Sequence, residues 1–144
     1  MYRDHETGKE GEDIACEYLL KHKIELIERN FRCKMGEIDI IAKEGKELVF
    51  IEVKTRGQKH YGTPAEAVNR RKKRHIYHVA EYYLMLHHIE NVYCRIDVIE
   101  VYLHGKEVKI NHIRNCISDR PYWTILEEKE RNGNDEFEVF YESN

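Results

Sequence analysis

Apolar residues recur along this chain in two rhythms. Ile14, Ala15, Tyr18 and Leu19 fall at helical spacing, and Thr7-Gly8-Lys9-Glu10 has the form of a capping box. The spacing predicts a helix over about 8–21, with Thr7 at its cap. Glu12 lies three residues before Ala15 and seven before Leu19, so it borders the apolar stripe. The rhythm then shortens. Residues 24–34 read as a strand of mixed pattern, and residues 36–54, GEIDIIAKEGKELVFIEVK, as a β-hairpin. Thr63-Pro64-Ala65-Glu66 opens a second helix, with proline at its first position. Its apolar face is Ala65, Val68, Ile76, Val79, Ala80, Tyr83 and Leu84, ending near His87; Lys72 stands on that face. Residues 92–103 alternate as a strand, His104-Gly105-Lys106 turns, and VKINHI returns. Beyond Asp119 the pattern weakens to a short helix around Tyr122 and Trp123 and a terminal strand, FEVFY. The order is helix, three strands, helix, two strands and an appendage, which predicts an α/β sheet with a helix on each side.

The hairpin carries chemistry. Strand alternation puts Ile38, Ile40 and Ala42 on one face, with Glu37, Asp39 and Ile41 on the other. On the return strand Val49, Ile51 and Val53 oppose Phe50, Glu52 and Lys54. A turn centred on Gly45 and Lys46 sets Asp39 opposite Glu52, and Glu37 opposite Lys54. Facing carboxylates destabilise a ladder. A hard divalent cation between them reverses the sign, because it takes oxygen ligands. Asp39 and Glu52 would hold the ion, the backbone carbonyl of Val53 would add an oxygen, and Glu12 would close the site from the first helix. Lys54 would orient a water or meet charge developing on a phosphoryl group. This is the layout of a metal-dependent phosphodiester-cleaving site. The same residues also read as a solvated strand face. Asp39 would then pair with Lys54 and Glu52 with Arg56, each pair contributing roughly 0.2–1 kcal/mol. Glu12 would then be a glutamate favoured by the helix dipole.

Composition changes this picture in one respect. At 144 residues the chain is long enough for one domain with a real core. Its net charge of −3 argues by itself against a nucleic-acid partner. The distribution argues the other way. Residues 54–74 hold eight basic side chains and one acid, a charge of +7, whereas residues 119–144 hold eight acids and three basic residues, a charge of −5. Arg56, Arg70, Lys72 and Lys73 are therefore candidate phosphate contacts beside the carboxylate pair. Cys16, Cys33, Cys94 and Cys116 form no C-x-x-C pair and read as reduced thiols. His75 and His78, one turn apart, read as helix surface, and Tyr61, Tyr77, Tyr82 and Tyr83 as packing before base stacking. No apolar run reaches membrane-spanning length and the N-terminus lacks an apolar signal core, so a cytoplasmic location is expected.

The stretches GEDIACEYL (11–19), ERNFRCKMGEIDII (28–41), VFIEVKTR (49–56), YGTPAEAV (61–68), Lys72 with Ile76 and Ala80, and RIDVI (95–99) resemble the YraN family of small bacterial proteins. That family in turn resembles the PD-(D/E)XK nucleases, which include Holliday-junction resolvases. The resemblance covers about residues 7–117. It implies a restriction-endonuclease-like αβββαβ core with a mixed central sheet, in a domain over 1–118. An acidic extension over 119–144 exceeds the family's usual length. It further implies Asp39, Glu52 and Lys54 as the site motif, Glu12 as a helix-borne acid, and Mg²⁺ or Mn²⁺ as cofactor. DNA of branched or structured form is the implied substrate, preferred over RNA, and a homodimer follows by analogy with resolvases. Ile96 stands where the family has an aromatic residue. Two other readings stay open: a non-catalytic nucleic-acid-binding module with this fold, and an RNA-processing or regulatory interaction protein.

Overall fold

The structure is a computed structural model that describes the backbone of residues 2–56 and 70–116, with side chains over 8–56 and 75–116. The element order is α1 (Tyr2–Lys21), β1 (Glu25–Cys33), β2 (Gly36–Glu44), β3 (Glu47–Arg56), α2 (Arg70–Leu86), β4 (Tyr93–His104) and β5 (Glu107–Ile113). The loop and the proline-led helix start before residue 70 lie outside the described residues, as does the acidic extension with its expected helix and strand. The five strands form one sheet in the order β1-β2-β3-β4-β5. Only the β3–β4 pair is parallel, and α2 is the crossover between them. This is the mixed α/β sheet with two helices expected from the sequence.

Each face of the sheet has its own core. Ala15, Cys16 and Leu19 of α1 pack on Ile40, Ala42, Val49, Ile51, Ile99 and Val101. Ile76, Val79, Ala80, Tyr83 and Leu84 of α2 pack on the opposite face, against Phe31, Ile38, Ile41, Phe50 and Ile96. Tyr83 is buried with its ring edge-on to Phe31 and Phe50, a packing residue. The central strands are buried on both faces, so β4 reads as a near-continuous buried run. The β2–β3 and β4–β5 hairpins each turn on a glycine of positive φ, Gly45 at 60° and Gly105 at 63°. Cys16 and Cys94 are buried, and all four cysteines are free thiols.

Two sequence expectations need correction. Helix α1 starts at Tyr2, so Thr7 is an interior helical position and not a cap. Nothing between Tyr2 and Thr7 breaks a helix, and Asp4 and Glu6 suit its first turns. Ile38 does not share a face with Ile40 and Ala42 but packs under α2. The cause is a local twist. Asn30 of β1 has a left-handed backbone, φ 55°, between the paired positions Arg29–Ile40 and Phe31–Ile38. Phe31 and Ile38 then point to α2, while Arg29 reaches α1 at Asp13 and Ile40 packs beneath α1.

Candidate active site

The β2–β3 ladder begins at Glu44–Glu47 beside the turn and runs to Ile40–Ile51. Its register, continued by one step, sets Asp39 opposite Glu52, but no further backbone pairs are made. Beyond that point β3 pairs only with β4, through Arg56–Tyr102, and β2 pairs only with β1. The two strands fork. The Asp39 carboxylate replaces the missing ladder bond: its Oδ2 accepts from the Val53 N–H at 2.8 Å. The fork also removes the expected Glu37–Lys54 pairing. Glu37 instead accepts from Arg32 across the β1–β2 ladder at 2.8 Å.

A cleft of about 380 Å³ lies in the fork, lined by Gly8, Glu12, Asp39, Glu52, Val53, Lys54 and Thr55. The structure thus brings Asp39, Glu52, Lys54, Val53 and Glu12 to one place. Glu52 is buried, with Lys54 Nζ 3.4 Å from its Oε2. Glu12 comes from α1 because that helix approaches β3 closely. The approach depends on Gly11: a Cβ there would lie 1.8 Å from Thr55 Oγ1.

The electrostatics of the cleft suit a cation. Burial, then the neighbouring charge of Glu52, push the Asp39 carboxyl up to about 7. Glu12 and Glu37 add in the same direction, and the Val53 N–H opposes them. Among the described residues no group of three or more His, Cys, Asp or Glu side chains is gathered into a ready-made metal cage. What the cleft offers is two inner carboxylates, a third on its wall and room for water. That set fits Mg²⁺ or Mn²⁺, ions held by few carboxylates with several waters retained, better than it fits a dehydrated cage.

The expected phosphate contacts fare differently. Arg56 turns inward, with only 16% of its side chain exposed, and its Nη2 lies 3.3 Å from Glu100 Oε2. Its Nε is buried with no hydrogen-bond partner. Arg70, Lys72 and Lys73 belong to the α2 backbone, with side chains outside the described residues. Sequence reasoning missed Glu100, a fully buried carboxylate that also accepts from Tyr102 and from Asn111 Nδ2. The signal was present: Glu100 continues the inward series Cys94, Ile96, Val98 on β4.

It also missed a second buried network. Asp97 accepts from Arg95 at 3.0 Å and from the Asn115 N–H at 2.8 Å, with His112 Nε2 at 2.7 Å. Tyr18 of α1 bonds the other His112 nitrogen at 2.9 Å, and Arg95 also pairs with Glu44 and Glu47. This network ties the far end of the sheet to α1.

The comparisons with known proteins agree with this fold region. The model of the uncharacterised protein family UPF0102 matches residues 11–101, a span that includes Glu12, the forked hairpin and Glu100. A UPF0102 protein of Caldicellulosiruptor bescii is 47% identical over 114 residues, covering 77% of this chain and 96% of the relative. One from Clostridioides difficile is 46% identical over 111 residues, with the same coverages. One from Clostridium botulinum strain 657 is 50% identical over 118 residues, covering 80% and 96%. With most of both chains aligned at this identity, the chain belongs to the UPF0102 family, the YraN family.

Proposed function

We propose that this protein is a Mg²⁺- or Mn²⁺-dependent endonuclease acting on DNA, with branched or structured DNA as its substrate. The observation that carries the reading is the forked hairpin. Asp39 and Glu52 share one cleft with Lys54, and Asp39 is held near pKa 7 by burial and neighbouring carboxylates.

In this reading Asp39 and Glu52 bind the ion, and Glu12 supports it from α1. The ion supplies charge neutralisation at the phosphoryl group and an acidified water. Asp39 is fixed by the Val53 N–H, so its carboxylate is oriented before any ion arrives. Lys54 is about one-third exposed, which leaves its ammonium free to swing from Glu52 toward a phosphate oxygen or the attacking water. Gly8 of α1 and Thr55 of β3 complete the lining of the cleft.

The test is a panel of labelled four-way junctions, flaps, duplexes and single strands incubated with Mg²⁺ or Mn²⁺. Cleavage of a structured DNA that disappears with EDTA and in Glu52→Ala supports the proposal. A panel left uncut by the wild type overturns it. Binding without cutting would then point to a nucleic-acid-binding module, and a preference for RNA in competition to an RNA-linked role.

A further inference from the structure

A second groove of about 790 Å³ opens beside the cleft on the β1 side. It shares Gly8 and Glu12 with the cleft, so the two adjoin as a double depression along α1. Its other walls carry Lys9 of α1, Arg29, Asn30 and Arg32 of β1, and Glu37 of β2. On β3, Lys54 lines the cleft beside Asp39 and Glu52, so cations border both the cleft and the groove.

We propose that this groove is a subsite for the sugar–phosphate backbone of a DNA strand, holding the nucleotides next to the phosphodiester in the cleft. The proposal rests on the nuclease reading above. A strand running through the depression presents phosphates at regular intervals, and the groove offers two guanidinium groups and an ammonium to meet them. Arginine is suited to this because its planar fork grips phosphate through two hydrogen bonds. The arginines already have carboxylate partners: Arg32 with Glu37, and Arg29 with Asp13 and Glu12. The Arg32–Glu37 and Arg29–Asp13 pairs are exposed, with 74% of the Arg32 side chain and 36% of the Arg29 side chain open to solvent; Glu12 is the half-buried partner, at 20%. Exposed pairs are weak, and a phosphate can take the place of the carboxylate without stranding a buried charge. The left-handed turn of backbone at Asn30 supports the arrangement. It sends Phe31 into the α2 core while Arg29 turns toward α1 and the groove.

The experiment measures binding of a labelled four-way junction and of a labelled single strand by anisotropy across a salt series, with Ca²⁺ as the divalent ion. The variants are Lys9→Glu/Arg32→Glu, Arg32→Ala alone, and Lys106→Glu/Lys109→Glu on the exposed β4–β5 hairpin as a charge-matched control. The groove reversal should bind at least about tenfold more weakly than this control. Arg32→Ala should lower the slope of log K against log salt by about 0.7–0.9, one phosphate contact. Arg32 is exposed enough that this variant keeps the fold, so the slope stays readable if the groove reversal is unstable. Wild-type binding with equal losses in the groove reversal and the control overturns the subsite and leaves the nuclease reading standing. A wild type that binds neither probe overturns both.

Discussion

Asn30 stands across the β1–β2 ladder from Asp39, between two regular backbone pairs, and holds a left-handed conformation at φ 55°. In an ordinary strand residues 29 and 31 share a face. Here Arg29 goes to α1 and Phe31 to α2, and their partners Ile40 and Ile38 divide the same way. Asp39 sits at the pivot of this twist, where its carboxylate meets the Val53 N–H across the fork. Asparagine tolerates this backbone and glycine more so, but a β-branched residue does not. Asn30→Gly should retain the fold and its response to Mg²⁺. Asn30→Val should lose about 1–3 kcal/mol in urea unfolding, together with most of the Mg²⁺-induced rise in Tm. A valine variant with wild-type stability and metal response would contradict this account.

Asp39 makes the metal-free protein pH-sensitive in a defined direction. Its pKa rises from 3.8 to about 7 on folding, because burial and Glu52 disfavour its charge. The folded state therefore holds this proton more tightly than the unfolded chain. The contribution is most favourable below about pH 4, declines as pH rises toward 7, and is flat above. The loss is on the order of 2–4 kcal/mol if Asp39 acts alone. Asn keeps an oxygen for the Val53 N–H, so Asp39→Asn should be more stable than wild type at pH 8 in EDTA. Mg²⁺ should reverse the wild-type trend and stabilise more at pH 8 than at pH 6, since it displaces the proton. Thermal unfolding across pH 5–8 with and without Mg²⁺ checks both signs.

The contact between α1 and β3 gives a third expectation. Alanine is a better helix former than glycine by about 1 kcal/mol. Gly11→Ala should nonetheless destabilise by about 1–3 kcal/mol, because the new methyl would strike Thr55. Gly11→Ala/Thr55→Ala should recover part of the loss, since it removes the Oγ1 that lies 1.8 Å from the added Cβ. Equal stability of Gly11→Ala and wild type in denaturant titration would rule the close approach out.

Asp97 belongs to the RIDVI stretch, yet its partners are structural. It is fully buried among Arg95, His112 and the Asn115 N–H, and these donors hold its carboxyl below the ordinary range despite burial. Asp97→Ala should cost about 3–5 kcal/mol by leaving Arg95 and His112 short of a partner. The measurement is chemical unfolding at pH 7. A cost under about 1 kcal/mol would show that the network is not holding α1 and β5 to the sheet.

The hairpin was legible because its information is local. Gly45 fixes the turn, the turn fixes the register, and alternation does the rest as far as Ile40 and Ile51. The two apolar helix faces were legible for the same reason, from Ala15 and Leu19 in one and the Ile76-to-Leu84 series in the other. The fork was not, since alternation has no way to mark where a ladder stops. Nor was the face switch at Ile38, which depends on the backbone of Asn30 on another strand. The inward turn of Arg56 depends on Glu100, 44 residues away. Thr7 matched a capping pattern, but the helix continues through it because no residue before it ends the helical hydrogen bonding.

The central claim is that Asp39 and Glu52 together hold a divalent cation. Calorimetric titration of Mn²⁺ into the full chain at pH 7.5 tests it most directly, comparing wild type with Asp39→Asn and Glu52→Gln. The account predicts one saturable site in the wild type, weakened at least about tenfold in each variant, while Lys54→Ala still binds. Wild-type affinity in both carboxylate variants, or no saturable binding in the wild type, would contradict it.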